Sequence, residues 1–139
     1  VEAGREHIQD EQLVFYPSIA ECVAVEKPNV VLLSSVLQYL ENPYAVLDEL
    51  VRSGVEIILV DRTSFHGGEN DFVAAQKVGE AIYPASYPLW IFSKINFINH
   101  SSEFFDLVTE WLSPEGFVGL SSGRFSFNGL VMQRKSYES

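Results

Sequence analysis

The sequence predicts an α/β domain whose sheet is mostly parallel and closes with an antiparallel strand pair at the C-terminal end. Two runs, Asn29-Val-Val-Leu-Leu-Ser34 and Val55-Glu-Ile-Ile-Leu-Val60, are aliphatic almost without alternation, as strands covered on both faces are. Between them lies a helix signal, with Asn42-Pro43 at its start and Gly54 just past its end. Strand, helix and strand in about thirty residues make a crossover unit, and two more strand-like runs follow Phe117.

The bulk properties narrow the class. A chain of 139 residues with 47% hydrophobic residues forms one domain. Nineteen acidic against nine basic residues give a formal charge of −10, which repels phosphate backbones and anionic membranes. No apolar run approaches the ~20 residues of a membrane span, and nothing resembles a signal peptide, so a soluble cytoplasmic protein is expected. The single cysteine, Cys22, cannot form an internal disulfide and is read as buried packing.

Taken in order, Val1 to His7 reads as the end of a helix, and Gln12 to Tyr16 as a short strand closed by Pro17. Ser18 is a helix N-cap, with Ile19, Cys22 and Val23 on one face before the stop at Lys27-Pro28. The Asn29–Ser34 run is expected to be a central strand. Val46, Leu47, Leu50 and Val51 supply the buried stripe of the helix that Asn42 caps. The second strand ends abruptly at Asp61-Arg62-Thr63. Phe65 to His100 is irregular and aromatic, reading as a functional loop or lid with a helix over Phe72 to Ile82. Ser102 caps a last helix carrying Phe104, Phe105, Leu107, Val108, Trp111 and Leu112, which stops near Pro114 and Gly116. Phe117 to Lys135 gives two strands, with Asn128-Gly129 either their turn or a glycine kink inside the last one.

Ligands of open α/β sheets bind beyond the carboxyl ends of the strands. Those ends are Tyr16-Pro17-Ser18, Ser34-Ser35-Val36-Leu37-Gln38-Tyr39 and Asp61-Arg62-Thr63, each richer in hydrogen-bonding groups than the strand before it. Ser18 also reads simply as a cap, Ser34 and Ser35 as a turn, and Asp61-Arg62 as a local ion pair. The segment Tyr83 to Trp90 can clamp a flat or apolar molecule, or pack a loop onto its own core. Other chemistries fail on pattern. Neither Ser34 nor Ser35 has the flanking glycines of a hydrolase elbow. His7, His66 and His100 lack metal-site spacing, and Gly67-Gly68 belongs to no phosphate loop. His66 reads as a solvated loop histidine in preference to a general base.

The run Val30 to Tyr44, followed by a helix and Ile57-Ile-Leu-Val-Asp-Arg-Thr63, resembles the fourth strand, next helix and fifth strand of class I S-adenosylmethionine-dependent methyltransferases. Phe15-Tyr-Pro-Ser-Ile19, Ser34 to Leu40, Asp61-Arg-Thr63 and Tyr87-Pro-Leu-Trp90 are similar to a small bacterial methyltransferase group. The likeness spans about Val1 to Lys135. It implies a Rossmann-like sheet truncated at the N-terminus, with residues 1–139 forming one partial domain of strands three to seven and Leu13 to Tyr16 as the third strand. The first two strands, the glycine loop and the acidic residue that holds the ribose would precede Val1.

By the same resemblance, Tyr16 and Ser18 lie near adenine, and Ser34, Ser35 and Gln38 line the cofactor crevice beside the sulfonium. Tyr39, Asp61, Arg62, Tyr83, Tyr87 and Trp90 would shape the pocket of a small-molecule acceptor. No side chain is implied as the catalyst, because methyl transfer can run on proximity and orientation. With no first strand to join them, sheet edges stay unpaired, which implies strand exchange, a homodimer through an exposed edge, or a rearranged Leu13–Tyr16 segment. The rival expectation is a non-catalytic α/β interaction or self-association module. A third, weaker one is a hydrolase or transferase using Asp61 with His66 or His100.

Overall fold

The structure is a computed structural model describing residues 1–79, 83–121 and 123–136. It is α/β: helices α1 (Glu2–His7), α2 (Ile19–Glu26), α3 (Pro43–Ser53) and α4 (Lys94–Ser101) accompany a mixed sheet. The strands are β1 (Val30–Ser34), β2 (Ile57–His66), β3 (Phe72–Lys77), β4 (Ser86–Ser93), β5 (Phe105–Leu120) and β6 (Gly123–Arg134). Their order is β3-β4-β2-β6-β5, with β1 on β2. The pairs β1–β2 and β2–β4 are parallel, whereas β2–β6, β3–β4 and β5–β6 are antiparallel. The sheet among the described residues is therefore mostly antiparallel, which corrects the expected mostly parallel one.

Local signals work where the sequence carries them. Ser18 caps α2 by accepting from the Glu21 amide at 3.1 Å, and Lys27 ends that helix at φ +48° before Pro28. Pro43 opens α3 and Gly54 closes it at φ +80°, a left-handed turn that glycine adopts without a steric penalty. Asn42 stands at the cap position without a capping side-chain bond. Leu47 and Leu50 of α3, Phe97 of α4, and Ile58, Val60, Leu130 and Met132 of the sheet make the main core. Arg134 locks the end of α3 to the sheet: its guanidinium donates to the Val51 and Val55 carbonyls, each at 2.8 Å, and lies 4.7 Å above the Phe105 ring. Cys22 is half-buried rather than buried.

Several sequence expectations give way to pairing. Leu13 to Tyr16 is unpaired coil, because side chains near α1 already take its backbone groups. Asp10 accepts from the Gln12 and Leu13 amides, Gln9 from the Phe15 amide, and the Phe15 carbonyl accepts from Arg5. β1 is an edge strand that pairs only with β2 among the described residues, not a central one. Phe72 to Lys77 is a strand with strict in-out alternation, not a helix; positions 80–82 of the expected helix lie outside the described residues. The expected lid is the β3–β4 hairpin followed by α4. The helix expected after Ser102 is β5, whose backbone is satisfied along β6. Its apolar spacing suits a helix, but most of those side chains are exposed.

Asn128-Gly129 lies inside β6, so the glycine-kink alternative holds. Gly129 faces Trp111 of β5 so closely that a Cβ there would fall within the indole. It also stands opposite the place where β2 carries two residues, Asp61 and Arg62, against its one. Gly129→Ala is expected to destabilise the chain by about 1–3 kcal/mol in urea titrations. Trp111→Ala in the same chain should remove part of that cost, giving a coupling of about 1 kcal/mol, whereas additive effects would show that Trp111 is not the obstacle.

Candidate functional site

β2 does not end at Asp61. It runs on to His66, and Asp61-Arg62 forms a bulge in mid-strand, Arg62 at φ +47°. β1 stops beside this bulge: Ser34 is the register partner of Asp61, and Ser35 turns the chain at φ +54°. β5 bulges towards the same point, since Ser113 to Gly116 stand against a single residue of β6. Three chain segments therefore meet at Asp61.

Its carboxylate is half-buried and accepts from the Ser34 hydroxyl at 3.2 Å and the Ser113 hydroxyl at 3.4 Å. The Ser35 amide donates to the Asp61 carbonyl at 3.0 Å. The Arg62 carbonyl accepts from Gln38 Nε2 at 2.8 Å and from the Ser35 hydroxyl at 3.4 Å. The Arg62 side chain pairs with Glu115 at 3.3 Å, an exposed ion pair worth at most about 1 kcal/mol. Gln38 is fully buried, and its Oε1 has no hydrogen-bond partner among the described residues. An unpaired buried amide oxygen costs about 1–3 kcal/mol, so it marks a place where a donor is wanted.

Next to this cluster are two aromatic clefts, one of which shares Gln38 with it. One, of about 380 Å³, is walled by Tyr39, Tyr83, Tyr87 and Pro88. The other, of about 310 Å³, is lined by Gln38, Tyr39, Leu40, Glu41, Pro88 and Trp90. Tyr39 belongs to both. Its ring meets Tyr87 edge-on at 5.6 Å and its hydroxyl donates to Gln76 at 3.1 Å; burial, and then the neighbouring Tyr87, raise its pKa. Trp90 is held by its indole N–H on the Leu40 carbonyl at 3.1 Å.

The hairpin that carries these rings is pinned by Asp71, which accepts from the Ser93 amide at 2.7 Å and from the Tyr44 hydroxyl at 2.6 Å. The Tyr44 ring lies between Phe92 and His100, and His100 in turn contacts Asp48 at 2.7 Å. Burial, followed by the hydrogen bond to Asp71, raises the Tyr44 pKa.

The structure thus gathers Ser34, Ser35, Gln38, Asp61 and Arg62 into one hydrogen-bonded cluster, and Tyr39, Tyr83, Tyr87 and Trp90 around the adjoining clefts. Tyr16 and Ser18 join neither. The Tyr16 hydroxyl is bonded to Glu26, which raises its pKa to about 12, and Ser18 is spent as a helix cap. His66 is tied locally to Asn70 and Gly68. Ser113, Glu115 and Asp71 were not foreseen; Ser113-Pro-Glu-Gly116 reads as a helix stop, whereas here it is a bulge inside a strand. Among the described residues, no group of three or more His, Cys, Asp or Glu is placed to hold a metal ion, and no helix is long and apolar enough to cross a membrane.

No family model, curated protein or solved structure matches the chain.

The Tyr44–Asp71 bond has a pH signature. A tyrosine whose folded pKa is raised adds stability that is fully present below its unfolded value near 10 and is lost as pH rises towards the folded value. Wild-type stability should therefore fall as pH climbs above about 10. Tyr44→Phe should be about 1 kcal/mol less stable at neutral pH and show a flatter alkaline decline. Parallel declines in urea midpoints measured across that range would contradict the assignment.

Proposed function

We propose that this chain forms the acceptor side of a class I methyltransferase site, using S-adenosylmethionine on a small, flat or apolar acceptor. The observation that carries this reading is that a hydrogen-bonded polar cluster at the carboxyl end of β1 adjoins, through Gln38 and Tyr39, two clefts walled by Tyr39, Tyr83, Tyr87 and Trp90. The sheet supports it as well: β6 lies between β2 and β5 and is antiparallel to both, as the resemblance implies for the last strand of that Rossmann-like fold.

The residues fit the cofactor in part. The half-buried Asp61 carboxylate and the unpaired Gln38 Oε1 suit a cationic, hydrogen-bonding ligand beside Ser34 and Ser35. Tyr16 and Ser18 do not fit the adenine role, since both are committed elsewhere. When bound, the cofactor would supply an electrophilic methyl group on a sulfonium sulfur, and Ser34, Ser35 and Gln38 are the residues beside which it would be held.

This chain's own part is orientation. Tyr39, Tyr87 and Trp90 hold an acceptor ring by its faces and edges. Asp61 orients this site by joining Ser34 of β1 to Ser113 of β5, whose hydroxyls donate to its carboxylate. Gln38 and Ser35 keep the Arg62 bulge in place beneath it.

Titration of ¹⁵N-labelled chain with S-adenosylhomocysteine tests the reading. Saturable amide shifts are expected at Ser34 to Leu40 and Asp61 to Arg62, with a Kd on the order of 1 mM, since only part of the cofactor finds contacts. Absence of shifts at saturating ligand, or shifts scattered away from β1 and β2, would refute it.

A further inference from the structure

The strands β1, β2, β6 and β5 present two faces, and their registers separate them. Ile58, Val60, Leu130 and Met132 point into the core beneath α3 and α4. The alternate residues form the opposite face. Leu32, Leu59 and Val131 lie in one row, Val30 and Ile57 in the next, and Trp111 covers Gly129. This face is bare: Leu32 is 61% exposed, Val30 45% and Trp111 36%. Yet β1 and the first half of β2 are aliphatic on both sides, the pattern of strands that helices cover above and below.

We infer that this face is a docking surface for a partner protein presenting an amphipathic helix whose apolar stripe is flanked by lysine and arginine. Size points to helices. Four strands at ~4.8 Å spacing are roughly 19 Å across, which seats one helix of about 10–12 Å diameter together with the basic side chains flanking it. Charge selects the flanks and disfavours a second copy: the registers continue the Val30–Ile57 row through Gln133 to Asp106 and set Asp61 beside Ser34, in a chain that carries −10 overall. The alternation that places Val30 and Leu32 on this face also places Ser34 there, paired with Asp61, so one end of a docked helix would abut the Asp61 cluster. The inference rests on the sheet face alone and does not need the proposed activity.

The probe is a Leu/Lys peptide of about 18 residues with helical period, set against a permutation of the same residues without that period. In ¹⁵N spectra of the full chain, the amphipathic peptide should shift the amides of Val30, Leu32, Leu59 and Val131. The permuted peptide should bind at least tenfold more weakly, as should the amphipathic peptide to Leu32→Asn or Val30→Asn, two polar changes at exposed positions. Equal binding of both peptides, or shifts elsewhere, would overturn the inference. So would a sedimenting dimer that Leu32→Asn dissociates, which would assign the face to a second copy. Binding to phosphatidylcholine vesicles that Leu32→Asn abolishes would assign it to a lipid surface instead.

Discussion

Between Val60 and Thr63, β2 carries one residue more than the strand beside it, and the rest of the molecule is arranged around that excess. The bulge turns Asp61 and Arg62 out of the regular ladder. It occurs where β1 ends and where β5 also departs from regular pairing. Bulges re-aim side chains and end pairing, and here two of them converge on one carboxylate. Gly129 completes the arrangement, opposing the β2 bulge on one side and lying under Trp111 on the other.

Beyond the bulge, β2 acquires a different neighbour. Its first half pairs with β1 and β6, while Phe65 and His66 pair with Phe92 and Ser93 of β4. That handover brings the β3–β4 hairpin, with Tyr87 and Trp90, beside the Leu37–Tyr39 turn that follows β1. The aromatic walls are thus set by apolar packing of Phe65, Phe92 and Phe97, and the polar floor by hydrogen bonds to Asp61 and Arg62. Apolar burial supplies most of the stability, and the polar contacts determine where the chain turns.

Much of this was legible in the sequence where the determinants are local. Ser18, Pro43 and Gly54 mark helix ends through their own backbone chemistry, and the aliphatic runs at Val30 and Ile57 mark strands. Ser34, Ser35, Gln38, Asp61 and Arg62, which the structure clusters, stand out in the sequence as polar groups that follow or interrupt aliphatic runs. What escaped depends on distant partners. Phe105 to Leu112 satisfies a helical spacing as well as a strand, and only β6 decides between them. The segment Tyr83 to Trp90 reads as a loop, yet most of it is β4, which accommodates Pro88 because it pairs with β2 only at its far end, Phe92 and Ser93. Ser113 and Glu115 reach Asp61 and Arg62 across about fifty residues, a contact no short-range pattern encodes.

Hydrogen exchange of the wild-type chain and Asp61→Ala, read by mass spectrometry across the whole sequence, tests most directly whether this one carboxylate organises the segments that meet at it. Faster exchange in both Ser34–Tyr39 and Ser113–Gly116, with the β3–β4 hairpin unchanged, is the predicted result, because Asp61 joins those segments and not the hairpin. Acceleration confined to β2, or spread evenly over the chain, would contradict the account.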